Sequence, residues 1–186
     1  MIFKPVTPEL WGDLEQLFGE RGACGGCWCM WWRIKRREFE EQQGAGNKMA
    51  MRAIVERGEI PGILGYVDER PVAWCSVAPR EVFPVLDRSP VLKRVDDEPV
   101  WSIVCFFVDR SFRRQGMSSK MLRAAVDFAA ERGARIVEAY PVVPKKKQAP
   151  DIYIYTGLVS TFMKAGFTEV CRRSESRPIM RYFITE

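Results

Sequence analysis

Three cysteines in the run Cys24-Gly25-Gly26-Cys27-Trp28-Cys29, the segment Arg113-Arg114-Gln115-Gly116-Met117-Ser118-Ser119, and the isolated residues Glu138 and Tyr155 are where this sequence could do chemistry. The cysteine spacing is that of metal ligands, but a structural zinc site takes four donors. The 186 residues include no histidine, so a fourth donor would be a distant cysteine or a carboxylate. The same loop could serve thiol or redox chemistry, or form an apolar lid of Cys27, Trp28, Met30 and Trp31. The missing imidazole also excludes Ser-His-Asp and Cys-His nucleophile pairs and any histidine base. Carboxylates, tyrosine, thiols, amines, water and backbone dipoles are what is left.

The arginine segment offers a different chemistry. It follows an apolar strand and opens a helix, where backbone N–H groups lack partners and carry partial positive charge. Gly116 lets a ligand come close to that backbone, and Arg113 and Arg114 add cationic reach, which together suit a diphosphate. The plain alternative is a basic loop whose glycine only starts a helix. Glu138 lies inside an apolar strand, so its carboxylate needs a purpose or a partner such as Arg135 or Arg181. Tyr155 and Tyr153 could each supply a hydroxyl, or simply pack.

The elements that must position these residues follow from periodicity. Met1 to Val6 reads as an edge strand. Thr7-Pro8-Glu9 starts a helix over Pro8 to Glu20, with Leu10, Leu14, Leu17 and Phe18 on one face. Gly22 to Trp32 has no period. Arg36 to Glu59 reads as one or two helices broken at Gly44-Ala45-Gly46. Ile63 to Val77 is a hairpin around an Asp68-Glu69-Arg70-Pro71 turn, and Phe83 to Val95 is irregular or a short helix. Val100 to Val108 is apolar at nearly every position and should be a central strand buried on both faces. A helix from Met117 to Gly133, a strand over Arg135 to Tyr140, a short helix over Gly157 to Ala165 and a closing hairpin of Thr168–Cys171 with Ile179–Ile184 complete the chain. The expectation is a single α/β (α+β) domain over residues 1–186, its central sheet mixed but mostly antiparallel and flanked by helices.

Composition narrows the partners. With 29 Lys and Arg against 24 Asp and Glu, the formal charge of +5 suits an anionic ligand but falls short of a nucleic-acid footprint. The dense cluster Lys145-Lys146-Lys147 sits in a proline-flanked stretch and reads as a solvated loop. No apolar run is long enough to span a bilayer and no signal peptide is visible, so a cytoplasmic location with reduced thiols is expected.

The order of hairpin, central strand ending Phe106-Phe107-Val108, Arg113-x-x-Gly116-x-Ser118 helix, strand, then Phe162-Met163-Lys164-Ala165-Gly166-Phe167 resembles the GNAT superfamily of N-acetyltransferases. The resemblance is specific over residues 62–184 and looser before them. It implies transfer of an acetyl group from acetyl-CoA, as acyl donor and without a metal, to an amine of a small molecule or peptide. The backbone of Phe107 and Val108 would bond the pantetheine arm, and Arg113 through Ser119 would wrap the diphosphate. The N–H of Val108 would stabilise the oxyanion of the attacked thioester. Ser118 stands where the family has Gly or Ala, a mild departure. A larger one is Phe162, where a tyrosine often protonates the leaving thiolate; an asparagine common seven residues earlier is replaced by Tyr155. Proton handling then falls to Tyr155, Glu138 or water. The resemblance leaves the oligomeric state open, a homodimer through the C-terminal strands being one form. Two other readings stand beside it: a non-catalytic acyl-CoA-binding module of this fold, and a metal-binding regulatory protein built on the Cys24–Cys29 loop.

Overall fold

The computed structural model describes residues 1–144 and 154–185; the Lys145-Lys146-Lys147 loop and Tyr153 lie outside them. Strand β1 (Ile2–Pro5) leads into α1 (Trp11–Phe18), α2 (Arg36–Glu41) and α3 (Ala45–Glu56). The hairpin β2 (Gly62–Val67) and β3 (Arg70–Pro79), a short α4 (Pro84–Arg88) and β4 (Trp101–Val108) come next. Helix α5 (Met117–Ala130), β5 (Ile136–Ala139), α6 (Val159–Lys164), β6 (Thr168–Arg172) and β7 (Pro178–Phe183) follow. The strands form a seven-stranded sheet in the order β1-β2-β3-β4-β5-β7-β6. Only β4 and β5 pair in parallel; the other neighbours are antiparallel.

Local chemistry accounts for the boundaries. Asp68 and Glu69 both adopt positive φ, 46° and 63°, as a two-residue hairpin turn matching strand twist requires. The turn is tighter than the sequence suggested, because Arg70 and Pro71 already belong to β3. The first helix begins as a 3-10 turn over Pro8–Leu10, and Thr7 is extended without a side-chain cap bond. The charged stretch splits into α2 and α3 at Gly44, whose φ of 83° breaks the helix one residue before Ala45.

Side chains from the two sheet faces build separate cores. Trp74, Val104 and Cys105 join α1 and the Cys/Trp segment on one face, while Cys75, Val77 and Ile103 pack under α5 and Phe162 on the other. The assignments of β4 reveal its decisive irregularity. Ile103 belongs to one face, but the successive residues Val104 and Cys105 both belong to the opposite face. The pairing explains this: Ser76 lies opposite Cys105 and Val77 opposite Ile103, leaving Val104 as an extra residue. Such a bulge bends its strand and increases its twist. Beyond it β4 has no β5 partner, since the parallel pairing stops at Ile103 opposite Ala139. The expectation of a strand buried on both faces therefore holds for its first half only; Phe106, Phe107 and Val108 are half-buried along an opening.

Candidate active site

The gap between β4 and β5 opens into a cleft of about 1530 Å³. The β4 ladder sets which of its amides face that gap. Asp109 donates its N–H to Val72 O at 2.8 Å, so Phe107 also points its amide at β3, and Phe106 and Val108 turn theirs to the open side. Of the two residues expected to bond the pantetheine arm, Val108 has its amide on the correct side. Phe107 does not, and it contributes a ring to the cleft wall instead, packed edge-on against Phe18 at 5.6 Å. The Phe106 N–H is already taken by the Tyr155 carbonyl at 2.6 Å. The Arg113 Nε donates to the Val108 carbonyl at 2.9 Å, which ties the basic segment to the strand end.

At that end the arginine segment forms a cradle. Gly116 sits in the left-handed region at φ 73° as the residue before α5, and a Cβ there would meet nothing within 4 Å. The helix N-terminus is therefore uncovered, and Arg110, Arg113, Arg114, Ser118 and Ser119 line the cleft around it. Arg114 also has positive φ, 60°, a strained geometry that brings the turn to α5. Two residues of the expected cradle do less with their side chains. Gln115 donates to Ser111 O at 2.9 Å, and Met117 is buried in the core under α5. The open N–H groups, the accessible glycine and the arginines fit the diphosphate of coenzyme A. Arg110 was missed by the sequence reading; its one signal was position, on the strand-to-helix connection.

Tyr155 lines the cleft beside β4, and burial together with the neighbouring Cys105 pushes its phenol above the ordinary value. Phe162 is fully buried, with ring contacts to Phe106 at 6.0 Å and Phe167 at 5.0 Å.

Glu138 is not a cleft residue. It is 1% exposed, and its two oxygens accept from Arg80 Nη1 and Arg181 Nε, each at 2.8 Å. The Tyr140 hydroxyl adds a third bond at 2.8 Å. Arg80 and Arg181 reach on to Asp87 and Asp96. The carboxylate is thus saturated by a buried ion network, and the structure removes it from proton transfer at the cleft. The partner Arg181 was among those expected; Arg80, 58 residues away in sequence, was not.

The Cys/Trp segment divides. Cys24, Cys27, Cys29, Trp31 and Trp32 line the cleft, whereas Trp28 stacks on Trp11 at 5.9 Å inside the core. Cys29 touches the sheet: the Trp74 indole donates to its sulfur at 3.1 Å. Burial pushes the Cys29 thiol up, but hydrogen bonds from Cys105 and Trp74 and the Arg33 charge outweigh it and hold the group below its ordinary value. Burial pushes Cys27 up to about 11. Among the described residues, no three Cys, Asp or Glu side chains are arranged to hold a metal ion. No helix of the described residues is long and apolar enough to cross a membrane.

A sheet parted at its parallel junction, with an arginine-lined helix N-terminus at the parting, defines an α/β domain of the acetyltransferase type. The sequence profile described as the acetyltransferase (GNAT) family matches residues 28–153. The chain belongs to the GNAT family. Solved structures it resembles include PaiA N-acetyltransferase from Thermoplasma acidophilum in complex with coenzyme A, at TM-score 0.54 and 12% identity, covering 98% of each chain. Ribosomal-protein-alanine N-acetyltransferase from Brucella melitensis aligns at TM-score 0.55 and 11% identity, covering 99% of this chain and 100% of that one. An agmatine N-acetyltransferase mutant gives TM-score 0.60 and 10% identity, over 98% of this chain and 99% of that one. At these identities the likeness is one of fold. A search of curated proteins finds no match to the sequence.

Proposed function

We propose that the protein transfers the acetyl group of acetyl-CoA to an amine of a small molecule or peptide. The observation that carries this reading is the coincidence of the Val104 bulge, the unpaired end of β4 and the uncovered α5 N-terminus in one cleft. The diphosphate belongs on the backbone of Gly116 to Ser119 with the arginines around it, and the pantetheine arm lies along the open side of β4. The Val108 N–H then supplies the fixed donor for the oxyanion that develops when the amine attacks the thioester carbonyl. As the carbon–sulfur bond breaks, the Tyr155 phenol is the acid for the departing thiolate, its raised pKa keeping it protonated. Among the described residues, no Asp or Glu lines the cleft. In this reading the ammonium proton of the acceptor leaves to water.

The test is calorimetry with coenzyme A followed by thiol release from acetyl-CoA across a panel of amines. Binding in the micromolar range with turnover of at least one amine is the expected result. Absence of coenzyme A binding overturns the reading. Tight binding with no turnover on any amine favours the non-catalytic module instead, which the buried Phe162 in place of an acid supports.

A further inference from the structure

Arg177, immediately before β7, is a cation on the cleft wall with no carboxylate partner among the described residues. Its Nη1 donates to Tyr140 O and Thr156 Oγ1, both at 3.2 Å, and both acceptors are uncharged. The contrast with its neighbours is sharp, since Arg80 and Arg181 are each bound by two acids. These two bonds and a further one to the Tyr155 side chain hold the guanidinium in place on the cleft wall. A fixed, unneutralised arginine in a cleft is suited to a planar anion, bound through two parallel N–H donors.

Its position shows which anion. Thr156 follows Tyr155, whose carbonyl bonds the Phe106 amide, so Arg177 stands toward the Cys105–Phe106 part of β4. The diphosphate cradle begins beyond Val108, at the other end of the open stretch, about 10 Å further at one strand rise per residue. Arg177 therefore belongs to the acceptor end. The contact of Cys29 with Cys105 brings the next cleft residues, Trp31 and Trp32, to the same end, with Phe39 edge-on to Trp31 at 5.1 Å. The Trp31 indole is a poor ammonium receptor, because the chain's own Arg36 lies over it at 5.3 Å, and Lys48 lies likewise over the buried Trp28 at 5.3 Å.

We infer that the acceptor is an amino-carboxylate, a free amino acid with an apolar or aromatic side chain, whose carboxylate is bound by Arg177. This rests on the acetyl-transfer reading above and names its substrate class. The carboxylate answers the Arg177 guanidinium, and the apolar remainder meets the Trp31 and Phe39 wall. A polyamine would meet an uncompensated positive charge there.

The experiment uses matched acceptors with purified full-length protein and acetyl-CoA: phenylalanine, phenylalaninamide and 2-phenylethylamine, with methionine and its decarboxylated amine as a second series. The expected result is a kcat/KM at least about 100-fold higher for each free amino acid than for its carboxylate-free partners, the scale of a lost buried charge pair. Arg177→Met should erase that preference by raising KM for the amino acids, with the affinity for coenzyme A within about twofold; any loss of kcat through its hydrogen bond to Tyr155 falls alike on the amino acids and on 2-phenylethylamine and leaves the ratio to report the carboxylate. Arg177→Lys should restore part of it. Equal rates on acid and amine with the wild-type protein, or equal losses on both with Arg177→Met at unchanged coenzyme A affinity, overturn the inference while acetyl transfer stands. Failure to turn over any amine overturns both.

Discussion

Arginines around Glu138 and arginines around the cleft lead opposite lives. Arg80 and Arg181 are 1% and 4% exposed and clamp Glu138 between them, with Asp87 and Asp96 closing the network. Arg110, Arg114 and Arg177 border a cleft whose described lining holds no acid. The residue type is the same, so the difference lies in where the carboxylates are. A buried arginine bound by carboxylates is structural, and its removal strands charges. A cleft arginine without one keeps its electrostatic reach for an incoming anion.

On that division, changes in the Glu138 network should cost chiefly stability, while changes at the cleft should cost chiefly ligand affinity. The largest effect is expected for Glu138→Ala, which takes from two buried guanidiniums the one buried acid they share and leaves each only a partly exposed partner, Asp87 or Asp96. Chemical denaturation should find a loss of about 3–5 kcal/mol. Should the folded variant instead lose coenzyme A affinity at unchanged stability, the network would have to be counted as part of the site. Next comes Gly116→Glu, which sets a carboxylate at the cradle. Calorimetry should find coenzyme A affinity lowered by roughly 100-fold, about 2.7 kcal/mol, and denaturation a smaller loss of about 1 kcal/mol from a side chain forced into the left-handed region.

A smaller change is expected for Tyr155→Phe, about 10- to 100-fold in kcat with an unaltered KM for acetyl-CoA, since a thiolate leaves with only modest help from an acid. The wild-type pH profile sharpens the same point. The Tyr155 pKa is raised, so the acid stays protonated beyond the ordinary phenol value of about 10. With no Asp or Glu among the described cleft residues to titrate as a base, kcat/KM should climb until the acceptor amine is neutral and then level off. An alkaline limb falling below pH 10 would remove Tyr155 from the role. The mildest tests concern charges at the periphery. Arg181 holds the Asp96 carboxyl below its ordinary value, so its contribution is present above the usual carboxylate range and fades as pH falls through that depressed value. Asp96→Asn should flatten the acid limb of stability against pH. Breaking the exposed Arg36–Glu40 pair by Arg36→Ala should shift stability by less than about 0.5 kcal/mol.

Much of this architecture could be read from residue patterns, and the exceptions have physical causes. The apolar run of β4 and the stripe of Met121, Leu122, Ala125 and Val126 are strong periodic signals, and both elements stand where expected. The bulge was invisible because Val104 and Cys105 are both apolar, so a break in alternation inside an apolar run changes nothing in the pattern. With it went the direction of the Phe107 amide. The Gly22 to Trp32 segment has no period, and nothing in it tells Trp28, which turns into the core, from Trp31 and Trp32, which line the cleft. Glu138 was recognisable as a buried carboxylate needing a partner, and one partner, Arg181, lies opposite it on β7. Arg80 and Arg177 gave no signal, because their meaning depends on which acids the fold brings near.

The extra residue at Val104 has a further consequence. Exposed strand edges are normally a hazard, open to pairing with any other extended chain. This protein keeps its unpaired strand in the middle of a sheet, with β3 on one side and β5 diverging on the other. Walls set by its own neighbours screen that hidden edge from a second polypeptide strand, and the Tyr155 carbonyl already covers one rung. A slender amide-bearing arm has a shape such a slot can admit. One inserted residue thus turns a zipped sheet into a receptor without giving the protein a sticky rim.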